Sequence, residues 1–238
     1  IAVKGNFDDS LKIVRSLAEN TAVKLVNSVN PHRIQGQKTA SFEIVEAMNG
    51  APNYVFLPVG NAGNISALGK GIRELYELGV IDKLPRLAGI QTIGASPMYE
   101  SYKNGFSELT PQKAKPTKAS AIQIGDPVSY KKALNELKHF NGLIEAVTEI
   151  ELMDWKARID SMGISICPNS AVAVAGTMKL RQTEIINKRD NVVVILTAHG
   201  SKFSNTAMEY HHDSSNQYAN ETIIIQPDIN ELERVIAS

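Results

Sequence analysis

The segment that most restricts this chain is Tyr54-Val55-Phe56-Leu57-Pro58-Val59-Gly60-Asn61-Ala62-Gly63-Asn64-Ile65-Ser66-Ala67. It opens with an apolar run of β-branched and aromatic residues, the pattern of a buried strand. It leads into Ile65 to Leu75, where apolar residues recur at helical spacing. Between them lie the small residues Gly60 to Asn64. Strand, small-residue turn and helix is an arrangement that aims several backbone N–H groups at one spot, and the helix N-terminus adds about half a positive charge there. Gly60 and Gly63 are expected to let the backbone approach a ligand closely and to adopt positive φ. Two readings follow: an anion cradle, best suited to a phosphate, or an ordinary connection from strand to helix. The segment is neither a GxGxxG dinucleotide fingerprint nor a Walker A loop, because no Gly-Lys-Ser/Thr follows.

The flanking sequence points to an α/β fold. Ile1 to Val3 predicts a strand, Leu11, Val14, Leu17 and Ala18 mark one face of a helix capped by Asp8 or Asp9, and Ala22 to Val26 predicts the next strand. This βαβ order implies a parallel sheet. Asn27 to Thr39 is polar and interrupted by Pro31 and Gly36, and an amphipathic helix with Ala40, Phe42, Ile44, Val45 and Met48 follows. Polar residues after a parallel strand are placed where α/β proteins bind ligands, although a solvated connection has the same composition. Arg33 is accordingly either a surface side chain or a bidentate phosphate clamp.

Further along, strands are predicted over Arg86 to Gly94, Leu143 to Val147 and Asn191 to Leu196, the last apolar enough to suggest the sheet centre. Helices are predicted over Ser129 to Phe140, capped by Ser129, and over Glu149 to Met162, capped by Thr148. Pro97 to Lys118, with Lys113, Lys115 and Lys118, reads as a solvated loop. Ser165 to Gly176 is a short strand, a turn and a small-residue helix, with Cys167 as a core thiol. His211-His212-Asp213 is a poor metal site, since adjacent ligands on one element rarely converge. A strand over Thr222 to Ile225 and a helix over Asp228 to Ile236 close the chain.

Several of these stretches resemble threonine synthases. Pro58-Val59-Gly60-Asn61-Ala62-Gly63-Asn64-Ile65 is similar to their phosphate-binding loop, Gly5-Asn6-Phe7-Asp8-Asp9 to a segment of their small domain, and Asn27 to Thr39 to their substrate-phosphate segment. Thr197-Ala198-His199-Gly200-Ser201-Lys202 resembles a Thr-Gly-x-Gly-x-Lys strand end, with Ala198 in place of the first glycine and His199 beside it, which leaves room for His199 to alter the site. The resemblance implies the tryptophan synthase β-like fold, PLP fold type II, with residues 1–28 as the last βαβ part of the small domain and 29–238 as the large domain. It implies pyridoxal 5′-phosphate (PLP) as cofactor, held by Gly60, Asn61, Ala62, Gly63 and Asn64 at its phosphate and by Thr197 at its pyridine nitrogen. It implies O-phosphohomoserine as substrate, its phosphate bound by Asn27, Ser28, Arg33 and Asn61, with water and O-phosphohomoserine giving threonine and phosphate. Lys38 is implied to be structural. Thr197 taken alone is only a strand-end hydroxyl.

The family's Ser-Phe-Lys-Asp-type segment, which carries the Schiff-base lysine, has no counterpart here. The chain also begins Ile1-Ala2-Val3 inside an apolar alternation, without Met or a polar lead-in. The expectation is a C-terminal part, inactive alone, whose partner is the missing N-terminal part. The rival readings are a dehydratase or β-replacement synthase of the same fold, which needs no anchor for a substrate phosphate, and a non-catalytic PLP- or phosphate-binding module. Composition narrows the partners. Lys plus Arg and Asp plus Glu both number 25, a balance that argues against binding nucleic acid or a membrane surface through bulk charge. The single cysteine suits a reducing cytoplasm, and no run is long enough to span a bilayer. Whether copies pair as a homodimer is left open.

Overall fold

The computed structural model describes residues 1–5, 7–26, 30–106 and 108–237. Its elements run α1 (Phe7–Asn20), α2 (Pro31–Gln37), α3 (Thr39–Met48), β1 (Tyr54–Pro58), α4 (Gly63–Glu77), β2 (Arg86–Thr92) and α5 (Pro97–Lys103). There follow α6 (Tyr130–His139), β3 (Leu143–Val147), α7 (Glu149–Ser161), α8 (Pro168–Gln182), β4 (Val192–Val194), α9 (Ser204–His212) and α10 (Ile229–Ile236). The strands form a parallel sheet in the order β3-β2-β1-β4. Tyr54 stands opposite Arg86 on one side and Val192 on the other, which makes β1 an inner strand.

Every residue of β1 is buried, and its alternation divides two cores. Tyr54 and Phe56 join Ile90, Leu152 and Val172 on one face of the sheet. Val55 and Leu57 join Ile65, Leu68, Leu137 and Ile144 on the other. Helix α4 packs between α3 and α6 over the second face, and α8, packed on α7, lies against β1, β2 and β3 over the first. A strand covered on both faces must be apolar throughout, and this one is. Gly176 explains how closely α8 approaches: a Cβ there would lie 2.6 Å from side-chain carbons of Ile90.

Strand β3 has the predicted bounds, and α7 starts at the predicted cap. Thr148 Oγ1 accepts a bond from the Glu151 amide at 3.1 Å, while the Glu151 carboxylate accepts one from the Thr148 amide at 2.6 Å. Other expectations need correction. Residues 1–3, 22–26 and 222–225 form no strand and pair with none among the described residues, so their β propensity goes unused. Strand β4 is an edge strand among the described residues and half-buried, not the sheet centre. A continuous apolar run reports covered faces, not neighbours on both edges. Val193 does pack into one core and Val192 and Val194 into the other.

Helix α2 occupies what reads as polar connection. Asn30 caps it, its Oδ1 accepting from the His32 amide at 3.0 Å, and Pro31 supplies a first-turn φ. Helix α5 likewise lies inside the segment expected to be loop, again opened by a proline. Asp8 and Asp9 lie in the first turn of α1. Ser129 stands at the N-cap of α6 without a side-chain capping bond. Among the described residues no helix is long and apolar enough to cross a membrane.

Candidate functional site

At the carboxyl ends of β1 and β4 the chain encloses a cavity of about 720 Å³. The end of β1 and the following turn supply Pro58 to Asn64, the end of β4 supplies Ile195 to Ala198, α2 supplies Arg33 and Gln37, and α8 supplies Asn169. Parallel strands present their carboxyl ends to the loops that carry ligand groups, so the position follows from the topology. Among the described residues lining the cavity, Arg33 and Lys202 are cationic and none carries a carboxylate. Its field therefore favours an anion. A separate cavity of about 580 Å³, lined in part by Lys118, Glu149, Met153 and Tyr210, shares no residue with it.

The turn from β1 to α4 forms one end of the site. Helix α4 begins at Gly63, and its first internal turn is closed by the Ser66 amide on the Ala62 carbonyl at 3.3 Å. The amides of Gly63, Asn64 and Ile65 precede that bond and have no intrahelical acceptor. Asn61 adds a donor. Its Oδ1 accepts from the Val128 amide at 2.7 Å, while its buried Nδ2 has no partner. Gln37 Nε2 donates to Asn64 Oδ1 at 2.9 Å and ties α2 to the turn. Neither Gly60 nor Gly63 has positive φ, contrary to the sequence expectation. The left-handed residue is Ala62, with φ 62°. Gly60 has a packing role: a Cβ there would lie 2.9 Å from the Ile122 backbone.

Thr197 forms the other end. Its amide donates to Ser170 Oγ at 2.8 Å, and its hydroxyl lies 3.3 Å from the same oxygen and 3.8 Å from Cys167 Sγ. Cys167 caps α8, its sulfur accepting from the Ser170 amide at 3.4 Å and from Asn169 Nδ2 at 3.8 Å. Burial of the thiol opposes its ionisation. Bonds from Ser170, Thr197 and Asn169 outweigh that cost and hold its pKa below that of an ordinary thiol. His199 does not line the cavity. Its Nδ1 accepts from the Ser201 amide at 3.1 Å and caps the short turn Gly200–Phe203.

Arg33, the turn 60–64 and Thr197 thus line one cavity, whereas Asn27 and Ser28 lie outside the described residues. Lys38 is turned to Glu74 at 2.5 Å, and bonds from Lys38 and Lys70 hold the Glu74 carboxyl below the usual carboxylate range. Gln37, Asn169 and Lys202 also line the cavity and were not singled out from sequence. The cue for Asn169 was available: it sits one residue past a proline at the start of a helix that follows a short strand. Among the described residues no group of three or more His, Cys, Asp or Glu side chains is placed to hold a metal.

These residues suit a phosphorylated aromatic cofactor, with free amides and an orphaned buried donor at one end and a hydroxyl at the other. Comparison with known proteins agrees. The family described as pyridoxal-phosphate dependent enzyme matches residues 1–198. Threonine synthase 2, chloroplastic, of Arabidopsis thaliana is 43% identical over 221 residues, covering 92% of this chain and 43% of its own length. Threonine synthase of Methanocaldococcus jannaschii is 41% identical over 238 residues, covering 99% and 57% respectively. The chain therefore spans about half the length of the curated relatives it matches. In fold it is similar to Escherichia coli threonine synthase, with a TM-score of 0.72 at 17% identity over 100% of this chain and 57% of that one. It is also similar to the processed threonine deaminase isoform 2 of Solanum lycopersicum, with a TM-score of 0.67 at 21% identity over 82% and 54%. With the family matched over most of its length and the fold shared with these enzymes, the chain belongs to the pyridoxal-phosphate dependent enzymes.

Proposed function

We propose that this chain carries the cofactor-phosphate and substrate-phosphate sites of a threonine synthase, which converts O-phosphohomoserine and water to threonine and phosphate. The observation that carries the reading is that one cavity is lined by two kinds of anion-binding group on different elements, the amide turn 60–64 and the Arg33 guanidinium of α2. A cofactor phosphate needs only the first. Names of relatives at 41–43% identity support the same choice.

In this reading the amides of Gly63 and Asn64 and the Nδ2 of Asn61 hold the cofactor phosphate, and Thr197 meets the pyridine nitrogen. Pyridoxal phosphate, when bound, supplies an electron sink for chemistry at the amino acid's α-carbon. Arg33 holds the substrate phosphate, and as that group departs its charge grows, so the guanidinium binds the transition state more tightly than the ground state. Asn27 and Ser28, outside the described residues, are assigned to the same phosphate by the resemblance alone. Residues 1–28 belong to the small domain and 29–238 to the large one, and the free thiol of Cys167 suits the cytoplasm. No lysine of this chain makes the covalent attachment to the cofactor; the ion pair that holds Lys38 to Glu74 supports this.

The test is Arg33→Ala in the holoenzyme. Cofactor affinity should stay unchanged while kcat/KM for O-phosphohomoserine falls by roughly thirty- to a thousandfold, about 2–4 kcal/mol. Arg33→Lys should recover only part, because a point charge cannot reproduce the guanidinium fork. Loss of cofactor instead would move Arg33 to the cofactor phosphate. Unchanged kinetics would make Arg33 a surface side chain, and a parent enzyme that does not turn over O-phosphohomoserine would favour a dehydratase.

A further inference from the structure

Asn169 is 5% exposed and lines the cavity from the first turn of α8. One end of its carboxamide is committed, Nδ2 donating to Cys167 Sγ at 3.8 Å. The other end, Oδ1, is buried without a hydrogen-bond partner. Buried acceptors are nearly always satisfied, so an orphan in a cavity wall marks a place where a donor belongs. The sulfur that takes Nδ2 lies 3.8 Å from the Thr197 hydroxyl, and Ser170, the next residue, bonds both the amide and the hydroxyl of Thr197. Asn169 and Thr197 therefore stand together, linked through Cys167 and Ser170. Their chemistry differs. A threonine hydroxyl can donate or accept and leaves the protonation of an aromatic nitrogen open, whereas a carboxamide oxygen can only accept.

We propose that Asn169 is a further ligand contact at the ring end of the site, its Oδ1 sharing with the Thr197 hydroxyl, as a second acceptor, the N–H of a protonated pyridine ring. This rests on the reading of the cavity as the pyridoxal-phosphate site, and it adds to that reading a residue that selects the protonation state of the ring. A ring held protonated withdraws electrons more strongly, so Asn169 tunes how far the cofactor can act as an electron sink.

The probes are pyridoxine 5′-phosphate, which has no aldehyde and so cannot react with lysines, and its 1-deaza analogue, in which C–H replaces the ring nitrogen. Affinities for the 238-residue chain are measured by calorimetry, and the ultraviolet spectrum of bound pyridoxine 5′-phosphate reports ring protonation. The parent should prefer the nitrogen compound by about tenfold, the scale of one net hydrogen bond, and should shift its spectrum towards the protonated ring. Asn169→Leu should lose that preference and that shift while binding the deaza compound as the parent does. Asn169→Asp keeps an acceptor and should keep both, so a misfolded leucine variant leaves the test intact. Equal binding of the two compounds by the parent overturns the role of Asn169 and leaves the phosphate site standing. So does equal weakening of both by Asn169→Leu. A parent that binds neither compound overturns the reading of the cavity itself.

Discussion

Ala62 carries a left-handed backbone in a turn that sequence alone assigns to glycine, and its Cβ joins the core beside Val59 and Ile65. Such a conformation costs a non-glycine residue about 1 kcal/mol. Here it turns the chain from β1 into α4, which begins at the next residue, Gly63. Gly60, two residues earlier, is fixed by space instead. Gly60→Ala should lower stability by about 1–3 kcal/mol in denaturant unfolding, because its Cβ would press on the Ile122 backbone, which is not a side chain that can rotate away. Gly36→Ala in α2 is the contrasting case. A Cβ there meets nothing within 4 Å, so the change should stabilise by about 0.5–1 kcal/mol. Equal effects at the two positions would refute the packing role of Gly60. At this scale the sequence shows which residue types sit at the turn. It does not show which of them bears the positive φ, because that depends on where Ile122 and Val128 meet the turn from far along the chain.

Among the elements, those marked by a capping box or by a short apolar run are readable in the sequence. Helix α7, with Thr148 and Glu151 reciprocally bonded, is one, and the short buried strand β3 is another. The short helices α2 and α5 are not, since each has seven residues of mixed polarity and gains its place by packing: Ile34 is buried under α2, and Met98 is buried under α5. Elements also depend on ties between them that periodicity does not record. Tyr210 of α9 donates to Asp154 of α7 at 2.5 Å, and burial, then that bond, pushes the phenol up to about 12. Its folded pKa is thus above the ordinary value of 10.0. The contribution is complete below pH 10 and is lost as pH rises towards about 12, where the folded state binds more protons than the unfolded one. The stability difference between the parent and Tyr210→Phe should therefore shrink between pH 9 and 11.5, by at most ~2.7 kcal/mol. A constant difference across that range would show that the phenol does not titrate differently on folding.

For the molecule as a whole, covalent chemistry is the sharper question. A lysine that attaches a carbonyl cofactor needs a neutral amine in a desolvated setting. Lys38 is paired with Glu74, buried Lys156 is paired with Asp160, and Lys202, though it lines the cavity, is exposed. Borohydride reduction of this chain with pyridoxal phosphate, followed by mass analysis, should give no stoichiometric adduct at a single lysine. Clean labelling of Lys202 would reverse the assignment. The parallel architecture was legible because βα alternation admits little else, and the cavity wall was legible where it lay in one continuous stretch, Pro58 to Asn64. Asn169 is not legible in the same way, because Cys167, its partner, meets Thr197 only after the sheet has formed.

That sheet imposes an order in time. Strand β1 takes β2 from the next part of the chain, but its other neighbour, β4, comes from near the end. On the ribosome, at about 5–20 residues per second, Thr197 follows Gly60 by roughly 7–27 s. Throughout that interval β1 keeps a row of unsatisfied amides and carbonyls along the side that β4 later takes, an open edge onto which a wrong strand can add. The Thr197 wall of the cavity and the closure of that edge both wait for β4, so the chain completes its cavity and shields β1 in one step.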